Sequence, residues 1–146
     1  MNEEALFEMV NESVLYAKER LEKEGEFAPF AMVLYDNGEI QSLNSKESDY
    51  DRAYIYLVEQ LRTMVSNVSD IAALTIVTRV VIPEAYNAAV ANGIRVHLEE
   101  RHKQGMKVGA RFLYVPYQLY KKSETGEITG QLYTPIPVSF PPEVFV

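Results

Sequence analysis

IRVHLEERHKQGMKVGARFLYV, residues 94–115, is the stretch whose reading decides the fold. Two runs of alternating apolar and polar residues flank a Gly-containing turn, the pattern of a β-hairpin. In the first run Ile94, Val96 and Leu98 point one way, and Arg95, His97, Glu99 and Arg101 point the other. In the second, Val108, Ala110 and Phe112 form the apolar set, with Lys107, Gly109 and Arg111 on the polar side. The apolar faces coincide only when paired positions sum to an even number. A three-residue loop, Lys103-Gln104-Gly105, with its glycine left-handed, satisfies that condition. The expected pairs are Val96 with Phe112, Leu98 with Ala110, His97 with Arg111 and Glu99 with Gly109.

Upstream, the periodicity predicts two helices. Over residues 3–24, Leu6, Val10, Val14, Ala17 and Leu21 fall at helical spacing, with Asn2 as N-cap and Gly25 as the stop. Over residues 49–68 a broader apolar stripe runs from Tyr50 to Val68, and Ser48 with Asp51 resembles a capping box. Between the helices, Phe30 to Tyr35 and Glu39 to Leu43 read as strands turned by Asp36-Asn37-Gly38. Residues 71–82 read as a long strand, apolar on both faces, so its second face must meet a helix, the C-terminal tail or a second subunit. Residues 84–93 fit a short helical turn or a loop equally well.

Downstream, Pro116 calls for a bulge, a bend or an edge. Residues 117–121 and 127–133 form a further hairpin about Glu124-Thr125-Gly126, which faces Tyr117 towards Tyr133. Residues 134–146 carry Pro135, Pro137, Pro141 and Pro142 and are expected to be an extended tail. The order α-β-β-α-β-β-β-β-β defines an α+β domain over residues 1–146. It has a mainly antiparallel sheet of five to seven strands and two helices packed on one face.

The composition excludes much chemistry. The chain of 146 residues contains no cysteine, which removes disulfides, thiolate nucleophiles and zinc–thiolate sites, and agrees with a cytoplasmic protein. The N-terminus is acidic, unlike a secretory leader, and no apolar run approaches the roughly 20 residues that span a bilayer. The net charge is −7, with −9 on residues 1–70 and +2 on residues 71–146, which argues against duplex nucleic acid and anionic lipid as partners. Neither a glycine-rich phosphate loop nor a GxSxG elbow occurs. His97 and His102 sit five positions apart on opposite sides of a strand, a poor arrangement for a shared metal. No cofactor is called for.

The candidate site is the polar face of the hairpin: Arg95, His97, Glu99 and Arg111. A histidine beside a carboxylate and arginines can act as a general base, and arginines can grip a carboxylate or phosphate in a fork. Alternation alone also produces such a face in any half-exposed hairpin. Tyr114, Tyr117 and Tyr133 join it as candidate binding residues, because tyrosine offers rigid apolar area with a polar tip. Such aromatics are equally the product of strand propensity. Stacking of single-stranded RNA is the weakest option, opposed by the acidic total.

The runs GEFAPFAMVLYDNGEI, IRVHLEERHKQG and FLYVPY together resemble a group of small uncharacterised bacterial α+β proteins. The resemblance implies the same strand layout and a bacterial cytoplasmic setting, and brings no catalytic residue with it. The function expected from the sequence is binding or assembly without catalysis, as a homodimer or with another protein, through the sheet and the aromatic C-terminal region. The alternative is a small-molecule-binding domain or enzyme with a pocket between sheet and helices.

Overall fold

The computed structural model describes residues 3–146, so the expected cap at Asn2 lies outside the described residues. Helix α1 (Glu3–Glu24) buries Met9, Ser13, Ala17 and Leu21, one residue per turn along a single stripe. It ends as expected: Gly25 takes φ 78° and its N–H donates to the Leu21 carbonyl at 2.8 Å. Strands β1 (Phe30–Tyr35) and β2 (Ile40–Asn44) are joined by the Asp36-Asn37-Gly38 turn, in which Gly38 has φ 91°. Helix α2 (Tyr50–Asn67) is capped by Asp49, not by the expected Ser48–Asp51 box; its carboxylate accepts from the N–H groups of Asp51 and Arg52 at 2.9 and 3.2 Å.

Strand β3 (Ile71–Val81) leads through a 3-10 turn (Glu84–Tyr86) into β4 (Asn92–Glu100). A second 3-10 turn (Arg101–Lys103) precedes β5 (Ala110–Lys121), followed by β6 (Ile128–Leu132) and β7 (Ile136–Phe140). All seven strands form one antiparallel sheet in the order β2-β1-β3-β4-β5, with β6 and β7 sharing the outer edge of β5. The α+β class is that expected and the element order roughly so: β5 runs unbroken past Pro116 where two strands were expected, and the expected extended tail contributes β7.

Two finer expectations are corrected. The helices do not share a face. Phe30, Met32 and Leu34 of β1 with Ala73 and Val77 of β3 pack under α1, while Ala31, Val33, Leu74 and Ile76 pack under α2. Every residue from Ile71 to Thr78 is buried, so each side of the sheet needs its own cover.

The β4–β5 register is also shifted by one. Val96 pairs with Leu113, His97 with Phe112, Leu98 with Arg111 and Glu99 with Ala110. The connection runs over residues 101–109 and is held by Arg101, whose guanidinium donates to the carbonyls of Ile71, Val65 and Val68 at 2.7, 3.1 and 3.0 Å. Gly105 is left-handed as expected, at φ 86°, but the loop is longer than three residues and the parity condition no longer applies. The next hairpin shows the same slip: Tyr117 faces Leu132, not Tyr133.

Pro116 sits at a change of partner. Along the outer edge of β5, pairing with β7 ends at Tyr114 and pairing with β6 begins at Tyr117. The missing N–H of Pro116 falls between the two, and its carbonyl accepts from Tyr133 N–H at 2.9 Å. Beyond β7 the chain crosses to the α2 face, where Val144 and Phe145 are buried among Leu57, Leu61, Leu74 and Ile76. The tail packs on its own sheet.

Candidate functional site

The alternation of β4 aims Arg95, His97 and Glu99 at the α2 face, where three different surroundings await them. Glu99 is 1% exposed, and its carboxylate is fully engaged. It accepts from the backbone N–H of Glu143 at 2.8 Å, of Val144 at 3.1 Å and of Phe145 at 2.8 Å, and from Nε2 of His97. An extended segment normally meets a neighbouring strand; here one carboxylate takes its place. Burial pushes the Glu99 carboxyl up, but the His97 contact and the N–H groups of Glu143 and Phe145 outweigh it, leaving it below the ordinary carboxylate value.

His97 is fully buried against the Phe112 ring, with centroids 5.0 Å apart, and its Nδ1 has no partner. The pair is therefore sealed beneath aromatic side chains and committed to holding the tail. Around it, Tyr54 Oη donates to the Glu143 carboxylate at 2.8 Å and Arg62 Nε to the Glu143 carbonyl at 2.6 Å. Arg101 lies over the Phe145 ring at 4.9 Å. Burial, with the Glu143 hydrogen bond, pushes the Tyr54 hydroxyl well above its ordinary range.

Arg95 is half-buried between two rings, 4.4 Å from the Phe112 centroid and 5.4 Å from that of Tyr54. Its register partners are Thr78 on β3 and Tyr114 on β5. Burial pushes the Tyr114 hydroxyl up, and the Arg95 charge opposes that. Arg95 and Thr78 line a cavity of ≈ 480 Å³ with Phe27, Pro29, Tyr50 and Ile55.

Arg111 is not with them. The one-residue slip places it opposite Leu98, on the α1 side, exposed. There it lines a groove of ≈ 790 Å³ between the first turns of α1 and strands β4 and β5, with Leu6, Phe7, Val10, Leu98 and Leu113. Phe7 is 70% exposed, and Leu6, Val10, Leu98 and Leu113 are half-buried. Arg111 has no ion pair among the described residues.

The tyrosines also separate. Tyr114 joins the Arg95 face, Tyr117 is buried in the α1-side core, and Tyr133 stands outside, donating to Gln118 at 2.9 Å. Sequence reasoning missed Thr78, Tyr54 and Glu143; only the doubly apolar pattern of β3 hinted that residues on its second face would meet other elements. Among the described residues, no group of three or more His, Asp or Glu side chains is placed to hold a metal ion, and no helix is long and apolar enough to cross a membrane.

The fold and these sites define an α+β protein whose single antiparallel sheet is covered on both faces. No protein-family model, curated protein or solved structure matches the chain.

Proposed function

We propose that this is a binding protein that holds a small amphipathic molecule in the groove beneath α1 and does not transform it. The observation that carries the reading is the groove itself. Its ≈ 790 Å³ falls in the range of small-ligand sites, and its floor is the half-buried Leu6, Val10, Leu98 and Leu113. Phe7 at the lip suits a ligand with an apolar body, and the unpaired Arg111 suits an anionic end, in a wall that also carries Glu3, Asp36 and Glu100. The absence of catalysis is supported by the fate of His97 and Glu99, which are spent on the tail. A bacterial cytoplasmic setting is supported by the lack of cysteine and by the resemblance noted above.

Titration with a medium-chain fatty acid such as decanoate, followed by amide NMR shifts, tests the reading. Shifts should centre on Leu6, Val10, Leu98 and Leu113, and Arg111→Ala should weaken binding about tenfold, the loss of one charge-assisted contact. Shifts scattered over the surface, or binding indifferent to Arg111, would contradict it.

Self-association has its own supporting observation: Phe7 is a large aromatic left in water beside an apolar groove. If two copies meet there, Phe7→Ser would convert a dimer to a monomer in light scattering. If the groove is a ligand site, the wild type would already be monomeric.

A further inference from the structure

We propose that the second cavity, between the first turns of α2 and strands β3 and β4, binds a small organic monocarboxylate with a flat apolar body. Two buried polar atoms point to a missing partner. Thr78 is 8% exposed and its Oγ1 has no hydrogen bond, and Arg95 Nε is buried with none. Thr78 and Arg95 are register partners on adjacent strands, so their side chains stand side by side on one face. Buried polar groups are nearly always paired, and Thr78 Oγ1 and Arg95 Nε are exceptions. Arg95 forms no ion pair among the described residues; its guanidinium carbon lies over the Phe112 and Tyr54 rings instead.

A guanidinium packed over aromatic rings keeps N–H groups for hydrogen bonding. These groups match the two oxygens of a carboxylate, and the Thr78 hydroxyl adds a further donor. Apart from Arg79 and Asp51, the remaining walls, among them Phe27, Pro29, Tyr50 and Ile55, are apolar or aromatic, and ≈ 480 Å³ accommodates a ring beside the charged group. The rim carries Asp51, and Glu26 lies close by, 3.7 Å from Arg79 and hydrogen-bonded to the Tyr50 hydroxyl at 3.1 Å. With Arg79 also in the lining, the two acids balance the two arginines, and surroundings without net positive charge disfavour a phosphate dianion more than a single negative charge. The cavity shares no lining residue with the groove under α1, so this inference stands apart from the function proposed above.

Benzoate is the probe, with phenyl phosphate as the competitor class. Amide NMR should place benzoate at Thr78, Arg95 and Tyr54, with phenyl phosphate bound more weakly. Arg95→Gln should weaken benzoate at least about tenfold. Thr78→Val, which keeps the shape and removes only the hydroxyl, should weaken it severalfold while leaving the thermal midpoint unchanged or raised, because a buried unpaired group is lost. Absence of benzoate binding at millimolar concentration would overturn the proposal. So would binding unaffected by Thr78→Val and Arg95→Gln in variants that retain the wild-type spectrum, or tighter binding of phenyl phosphate than of benzoate.

Discussion

The Glu99 carboxylate accepts the backbone N–H of Phe145 at 2.8 Å across 46 positions of the chain. With the N–H groups of Glu143 and Val144 held by the same carboxylate, one side chain terminates the fold. Hydrogen bonds to an ionised acceptor are stronger than those between neutral groups, and three of them converge on Glu99 while the Phe145 side chain is buried in the α2-side core. The tail is a structural member of the α2-side core.

Removing the carboxylate should therefore expose its debt. Glu99→Ala leaves three buried backbone donors and His97 without a partner, and is expected to cost about 3–5 kcal/mol in urea unfolding. Carboxypeptidase should then trim the last residues much faster than in the wild type. An unchanged trimming rate would show that Phe145 alone holds the tail.

Acid should loosen the same latch. The Glu99 carboxyl lies below its ordinary value of 4.5 in the folded protein, so its stabilising share is complete above that pH and is lost as the pH falls through the lower folded value. The urea midpoint of the wild type should fall on acidification below about 4.5, and Glu99→Gln should flatten that limb. Parallel acid limbs in both proteins would assign the loss to other carboxylates.

The Phe145 ring is 1% exposed, whereas Val146 is 69% exposed. Phe145→Ala is expected to cost about 3–5 kcal/mol, and Val146→Ala to stay within about 0.5 kcal/mol. Chemical denaturation of the two variants side by side measures the contrast.

On the opposite face, Ser13 Oγ and Thr75 Oγ1 meet at 2.8 Å in the interface of α1 with β3, and Ser13 also donates to the Met9 carbonyl at 2.9 Å. Ser13→Ala leaves the Thr75 hydroxyl buried and unpaired, for about 1–2 kcal/mol. Adding Thr75→Val removes the orphan and should recover part of that loss. A double-mutant cycle of thermal or urea midpoints reads the coupling.

Legibility in the sequence followed how many faces an element buries. Helix α1, the Asp36–Gly38 turn and the double coverage of β3 were readable because spacing and turn chemistry act locally. The β4–β5 register was not. Parity arguments assume one wet face, and here Phe112 and His97 are buried on one side while Val96 and Val115 are buried on the other. Arg101 anchors the loop to carbonyls of β3 and α2, a long-range contact that turn residues do not announce. Hence Arg111 left the expected cluster and Thr78 entered it. The split of the helices between faces followed from the same double burial, which was visible for β3 and not carried through to the helices.

Strands β6 and β7 form one interrupted ribbon along β5, broken at residues 133–135 and studded with Pro135 and Pro137. A margin of this kind makes a poor template for fibril growth, because an incoming chain finds no continuous row of amide donors. At the far side β2 offers only the five residues Ile40–Asn44. Neither margin of the sheet therefore presents a long, unbroken edge on which a further strand could extend it.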